Sequence, residues 1–246
     1  MQKVAAAIAI ALAASLAQAG DLHVSAAASL SNAFKDIAER YEARHAGTRV
    51  LLNFGASGAL LQQIVKGAPV DVFASADMET MDQAEKQRLI AGERRNFARN
   101  SLVVIVPRDS KLTVNRLQDL AQPAVQKIAI GNPASVPAGR YTQHALASAK
   151  LWPGVEAKAI NTQNVRQSLD YVARGEVDAG FVYGTDAAVM KDKVKVVFEV
   201  PLDAAIRYPI ARTAAATNPT DAKGFIDFVL SPDGQAILAK YGFLKP

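Results

Sequence analysis

The chain contains no cysteine, only three histidines, few aromatic residues (7%) and a net charge of just +5 over 246 residues. Without cysteine there is no disulfide, no zinc–thiolate site, no iron–sulfur ligation and no thiol nucleophile. His23, His45 and His144 are too few and too scattered for a histidine-rich metal site, and no metal centre is expected. No run of five lysines or arginines occurs, so the small positive excess does not indicate nucleic acid. Long apolar runs are also missing beyond the first twenty residues, which leaves no candidate membrane span in the rest of the chain. What is present is a chain that is half hydrophobic. That fraction excludes disorder as the main state, and the length allows two modest domains with real cores.

The start of the chain reads as an address. Lys3 supplies a positive charge, Val4 to Ala14 is unbroken apolar sequence, and Ala17-Gln18-Ala19 is a small-x-small site. This is the pattern of a secretory signal peptide cut after Ala19; Ser15 and Gln18 interrupt it too early for a spanning helix. A secreted chain without cysteine has no residue to lipidate at a mature N-terminus, so retention at the cell points to an outer membrane and a periplasm.

From Leu22 onward strands and helices alternate. Leu30, Ala33, Phe34, Ile37, Ala38 and Tyr41 share one helical face, with Ser29 or Ser31 placed to cap it. Strands are expected at 49–54, 70–74, 102–106, 127–130, 155–160, 179–183, 194–200 and 208–211. Helices are expected from Ala59, Met78, near Val114–Leu120, from Gly139, after Asn164, and at the end of the chain behind Thr220. Gly67 and Gly175 stand at helix C-termini. Trp152 reads as the packed anchor of a turn. Repeated strand–helix units imply an α/β fold with helices on both faces of largely parallel sheets. Two lobes are expected: 20–101 with 208–246, and 102–207.

Four strand-to-helix junctions are built from small or uncharged residues: Ala26–Ser29, Gly55–Gly58, Pro133–Gly139 and Asn161–Val165. In open α/β sheets ligands lie at the carboxyl ends of strands, where helix N-termini offer free N–H groups and a positive dipole end. Four such junctions facing one cleft would hold an anion without a charged side chain. Arg140 and Arg166 follow two of these junctions and read first as solvated residues of a first helical turn, second as contributors to the field around the site. Asp71, Asp77 and Asp186 read as residues that cap helices or start strands. Gly55-Ala56-Ser57-Gly58-Ala59 is also close to a G-x-S-x-G nucleophile elbow. Its final glycine is missing, and the only later histidine, His144, falls within an expected helix.

Several segments together carry a family resemblance: Ala26-Ala27-Ala28-Ser29-Leu30, Gly67 to Asp77, Asn100-Ser101-Leu102-Val103-Val104, Val136-Pro137-Ala138-Gly139, Asn164-Val165-Arg166, Val182 to Ala187, and Tyr241-Gly242-Phe243. Their order resembles that of the periplasmic molybdate-binding proteins of ABC uptake systems, over essentially the whole mature chain. The resemblance implies the two-lobed type II periplasmic binding protein fold, with the ligand cleft between the lobes. It also implies a tetrahedral oxyanion, molybdate or tungstate, held by uncharged donors: the hydroxyls and N–H groups of Ser29 and Ser57, the backbone N–H groups of Ala138 and Val165, and the phenol of Tyr183. Ser57 is followed by Gly58-Ala59 where relatives often carry further hydroxyls. The implied partner is a membrane permease with its cytoplasmic ATPase; a monomer without cofactor, catalytic residue or nucleic-acid partner is expected. None of the five positions is acidic. A donor-only site suits molybdate, tungstate or sulfate, which are fully deprotonated at neutral pH, and disfavours phosphate, which keeps a proton. The alternatives are a sulfate-type oxyanion-binding protein and a secreted serine hydrolase with Ser57 as nucleophile.

Overall fold

The computed structural model describes residues 20–246. The expected signal peptide and its cleavage site lie outside the described residues. The chain builds β1 (Asp21–Ala27), a 3-10 turn (Ala28–Leu30), α1 (Ser31–Glu42), β2 (Arg49–Gly55), α2 (Ser57–Val65), β3 (Val72–Ala74), α3 (Met78–Lys86) and β4 (Ile90–Asn100). It then crosses into a second lobe with β5 (Leu102–Pro107), a 3-10 segment (Leu117–Ala121), β6 (Ile128–Gly131), α4 (Pro137–Ser148), α5 (Trp152–Glu156), β7 (Ala159–Thr162), α6 (Val165–Ala173), β8 (Ala179–Tyr183), α7 (Gly184–Val189) and β9 (Val194–Glu199). It returns through β10 (Ile206–Thr213) and finishes with α8 (Pro219–Leu230) and α9 (Pro232–Lys240).

Each lobe holds one five-stranded sheet, ordered β2-β1-β3-β10-β4 and β7-β6-β8-β5-β9. Four strands of each run in one direction, and the strand the chain enters after crossing between lobes runs antiparallel to them: β10 between β3 and β4, and β5 between β8 and β9. The sheets are therefore mixed, with helices on both faces.

Burial explains the elements. In α1, Ala33, Phe34, Ile37, Ala38 and Tyr41 form the inner face. Phe34 packs against Phe97 of β4 and Phe225 of α8, at ring separations of 5.7 and 6.0 Å. All six residues of β5 except Pro107 are buried, as a strand covered on both faces requires. Gly67 and Gly175 have φ of +85° and +68°, the left-handed conformation that ends a helix.

The structure corrects several expectations. The expected strands do not include β4. It is an edge strand whose Glu93, Arg94, Arg95 and Arg99 break any apolar run, and β10 is its sheet partner. The expected helix at Val114–Leu120 is only a 3-10 segment that starts later. The expected strand at 155–160 begins as the short helix α5, with Trp152 as its first residue. Neither Ser29 nor Ser31 caps α1, because a 3-10 turn leads directly into it. Thr220 does not cap α8 either; Pro219 starts that helix, where its missing N–H costs nothing. Asp77 and Asn164 do cap their helices.

Candidate functional site

Ser29, Ser57, Ala138, Val165 and Tyr183 line a single small cavity between the lobes, with Ala27, Ala28, Gly55, Ala56, Ala76, Val136, Pro137 and Asn164. The space that the centre of a water-sized sphere can reach inside it is about 10 Å³. That is room for one compact group, and nothing charged lines it. Ser29 is 2% exposed, Ser57 0%, Ala138 1%, Val165 4% and Tyr183 1%. A ligand therefore enters only if the lobes separate.

Strand ends and helix starts place each donor. β1 delivers Ser29 into the 3-10 turn ahead of α1, and β2 ends two residues before Ser57, the first residue of α2. Ala138 is the second residue of α4, behind Pro137. Val165 is the first of α6. The first N–H groups of a helix have no partner within it. At α6 the cap divides them: Asn164 Oδ1 accepts from the N–H groups of Arg166 (3.0 Å) and Gln167 (3.1 Å), which leaves the Val165 N–H for another acceptor. These helix starts lie around one cavity and add their dipoles there.

Two of the three hydroxyls have partners in the protein. The Ala76 N–H donates to Ser57 Oγ at 3.0 Å. Ser29 Oγ and Tyr208 Oη are 3.0 Å apart, and Asn100 Nδ2 donates to Tyr208 Oη at 3.2 Å. Tyr183 ends β8, and its fully buried phenol oxygen has no hydrogen-bond partner among the described residues. A buried hydroxyl left unpaired is costly unless something else pairs it. Burial, reinforced by nearby Tyr208, Tyr141, Asp77 and Asp186, holds the Tyr183 phenol well above its ordinary value. The Tyr208 phenol is raised for the same first reason. These phenols are neutral donors throughout the physiological range. They add no ionisation penalty below the unfolded tyrosine value of about 10, and the fold loses stability as pH climbs above it. Thermal melting of the unliganded protein is accordingly expected to hold between pH 7 and 9 and to fall steeply above about pH 10; a flat melting temperature through pH 12 would contradict the neutral phenols.

Arg140 and Arg166 are not solvated first-turn residues, which corrects the sequence reading. Each reaches from the second lobe to the first. Arg140 donates to Asp77 Oδ2 from Nε (2.9 Å) and Nη2 (2.6 Å), and to Thr80 Oγ1 at 2.7 Å. Arg166 donates to Asn32 Oδ1 at 2.8 Å and to the Ser29 carbonyl at 3.2 Å, while its Nε meets Asp186 Oδ1 at 2.5 Å. Burial pushes the Asp186 carboxyl up, and Arg166 opposes that. The two arginines thus brace the closed lobes while their charge is matched by carboxylates outside the cavity. A backbone bond completes the closure: the Gly58 N–H donates to the Ser135 carbonyl at 3.0 Å.

Ser57 and His144 are not brought together. Ser57 lines the cavity, whereas His144 lines two outer grooves beside Arg140. Asp71, read as a strand or cap residue, instead accepts N–H groups from His23 (2.8 Å), Thr217 (2.8 Å) and Asn218 (3.1 Å), and ties the first strand to the start of α8. Sequence reasoning missed Tyr208 and the partners of the arginines. Asn100 and Thr185, like Asp77 and Asp186, did lie in segments that carry the family resemblance, but their pairings were not legible there.

Known proteins resemble this chain over most of its length. A family model described as bacterial extracellular solute-binding protein matches residues 22–244. The molybdate-binding protein ModA of Escherichia coli is 37% identical over 240 residues, covering 93% of this chain and 90% of its own. ModA of Haemophilus influenzae is 31% identical over 241 residues, covering 93% and 92%. Among solved structures, the periplasmic molybdate-binding protein of Azotobacter vinelandii superposes with a TM-score of 0.79 at 26% identity, over 92% of this chain and 99% of that one. The sulfate-binding protein SubI of Mycobacterium tuberculosis reaches the same TM-score of 0.79 at 16% identity, over 91% and 86%, and shares the fold alone.

Proposed function

The chain belongs to the bacterial extracellular solute-binding proteins, and on that premise we propose that it captures molybdate, and tungstate with it, in the periplasm and delivers it to an ABC permease driven by a cytoplasmic ATPase. The observation that carries this reading is the closed, uncharged cavity lined by all five donor positions, into which Tyr183 brings an unpaired buried hydroxyl. A tetrahedral dianion with only acceptor oxygens suits it: Ser29, Ser57 and Tyr183 donate O–H, and the starts of α2, α4 and α6 donate N–H. No carboxylate is available to accept a proton from hydrogen phosphate. Relatives named for molybdate at 37% and 31% identity support molybdate over sulfate. The protein acts as a monomer freed of residues 1–19 by cleavage after Ala19, and it performs no chemistry on its cargo.

Binding is read by calorimetry and thermal melting with molybdate, tungstate, sulfate and phosphate. Tight binding of the first two and weak or no binding of the others is expected. Ligand at 100 times its dissociation constant adds about 2.7 kcal/mol to stability. Because the ligand bridges both lobes it favours the closed state, and small-angle scattering should register compaction on saturation. A protein that prefers phosphate, or shows ester turnover abolished by Ser57→Ala, would overturn the reading.

A further inference from the structure

Ser29 donates to the ligand only if its own hydrogen is free, and that depends on residues outside the cavity. The Ser101 N–H donates to Asn100 Oδ1 at 3.0 Å, which fixes which end of the amide is which. Asn100 Nδ2 then spends its two hydrogens on Thr185 Oγ1 (2.9 Å) and Tyr208 Oη (3.2 Å). Tyr208 therefore already accepts. Were it also to accept from Ser29, its own buried hydrogen would have no acceptor, because Ser29 and Asn100 are the side chains that bond it. The satisfied arrangement sends the Tyr208 O–H to Ser29 Oγ and turns the Ser29 hydrogen into the cavity.

We infer that Asn100 and Tyr208 form a hydrogen-bond relay that fixes Ser29 as a donor toward the ligand, and so act as positioning residues for oxyanion selectivity. The inference rests on the proposed oxyanion function and adds residues to it. Asn100 is the last residue of β4, where the chain crosses to the second lobe, and Thr185 lies in that lobe. The relay therefore ties together both lobes, the crossing point and the ligand. It also has a chemical consequence. A serine fixed this way turns its hydrogen to the ligand, and at that position favours an acceptor oxygen over a protonated one. Ser57, held by the Ala76 N–H, is fixed in the same sense by backbone alone.

Tyr208→Phe removes only the hydroxyl and keeps a ring that packs against Tyr183, Phe97 and Phe243 at 5.8, 6.2 and 5.5 Å. Asn100→Ala is the companion variant: it leaves Tyr208 in place and frees it to accept from Ser29. Each is titrated with molybdate and, in competition, with hydrogen phosphate, in the wild-type background and with Ser29→Ala. Each relay variant is expected to lose about threefold to tenfold in molybdate affinity, to narrow the molybdate-to-phosphate ratio, and to have no further effect once Ser29 is alanine. An equal loss in both backgrounds, or an unchanged ratio, overturns the relay, since a packing role does not depend on the Ser29 hydroxyl. Wild-type protein that binds neither molybdate, tungstate nor sulfate refutes the oxyanion reading itself and the relay with it, an outcome distinct from intact wild-type binding with no relay effect.

Discussion

Gly58→Ala is expected to leave the unliganded protein as stable as before, or slightly more so, while weakening molybdate binding by about 10–100-fold. The two effects have separate causes. Gly58 is the second residue of α2, and alanine is a better helix former than glycine by up to about 1 kcal/mol. Within its own lobe the new methyl group is welcome. Across the cleft it is not: a Cβ there would stand 2.7 Å from the Ser135 carbonyl oxygen and 2.9 Å from the Ser135 Cα. Both are backbone atoms, so no side chain can swing away, and the Gly58–Ser135 bond would have to lengthen. Overpacking of this kind costs about 1–3 kcal/mol, and the closed state alone bears it. Calorimetry of the variant beside its melting curve separates the two terms. Wild-type affinity would mean that the bound state does not bring Gly58 against Ser135. In this chain glycine and alanine follow Ser57, and the glycine lets the opposing backbone come close.

Tyr183→Phe is the second large effect. A phenol that donates to a dianion in a buried site makes a charge-assisted bond worth about 1.5–3 kcal/mol. Its loss should weaken molybdate binding roughly 10–100-fold. The unliganded protein gives the control. Because the Tyr183 oxygen has no partner among the described residues, its removal relieves an unpaired buried group, and the melting temperature should rise or stay unchanged. A variant that lost stability and kept its affinity would make Tyr183 a packing residue. The bound dianion opposes ionisation of the phenol further, as a like charge, so ligand-bound protein should resist alkali longer than the free form.

Much of this fold could be read from local pattern. The 3.6-residue spacing from Leu30 to Tyr41 gives α1, the apolar run at Leu102–Val106 gives β5, and the small-residue junctions mark the strand ends where the cavity forms. Local pattern failed where structure rests on distant partners. β4 carries four charges because one of its sides faces water, and only β10, far along the chain, makes it a strand. Arg140 and Arg166 looked solvated because Asp77 and Asn32, 63 and 134 residues away, are not adjacent until the lobes meet. Tyr208 stands 179 residues from the serine it bonds, and nothing in its neighbours signals that pairing. The five donor positions came from family resemblance; their gathering around one cavity required the structure.

The two crossings between lobes also set an order of assembly. The second sheet draws all its strands from one continuous stretch, Leu102 to Glu199. The first sheet does not: β10 sits between β3 and β4, pairing Ile210 with Ala74 on one side and Ile206 with Asn100 on the other. Until Ile206–Thr213 has been made, β4 has no neighbour and β3 has an open edge. Closing that long loop carries an entropic cost that the contiguous lobe never meets. Emerging from a ribosome or a translocation pore, the lobe whose synthesis begins first is therefore the one completed last, around a second lobe whose strands are already in hand.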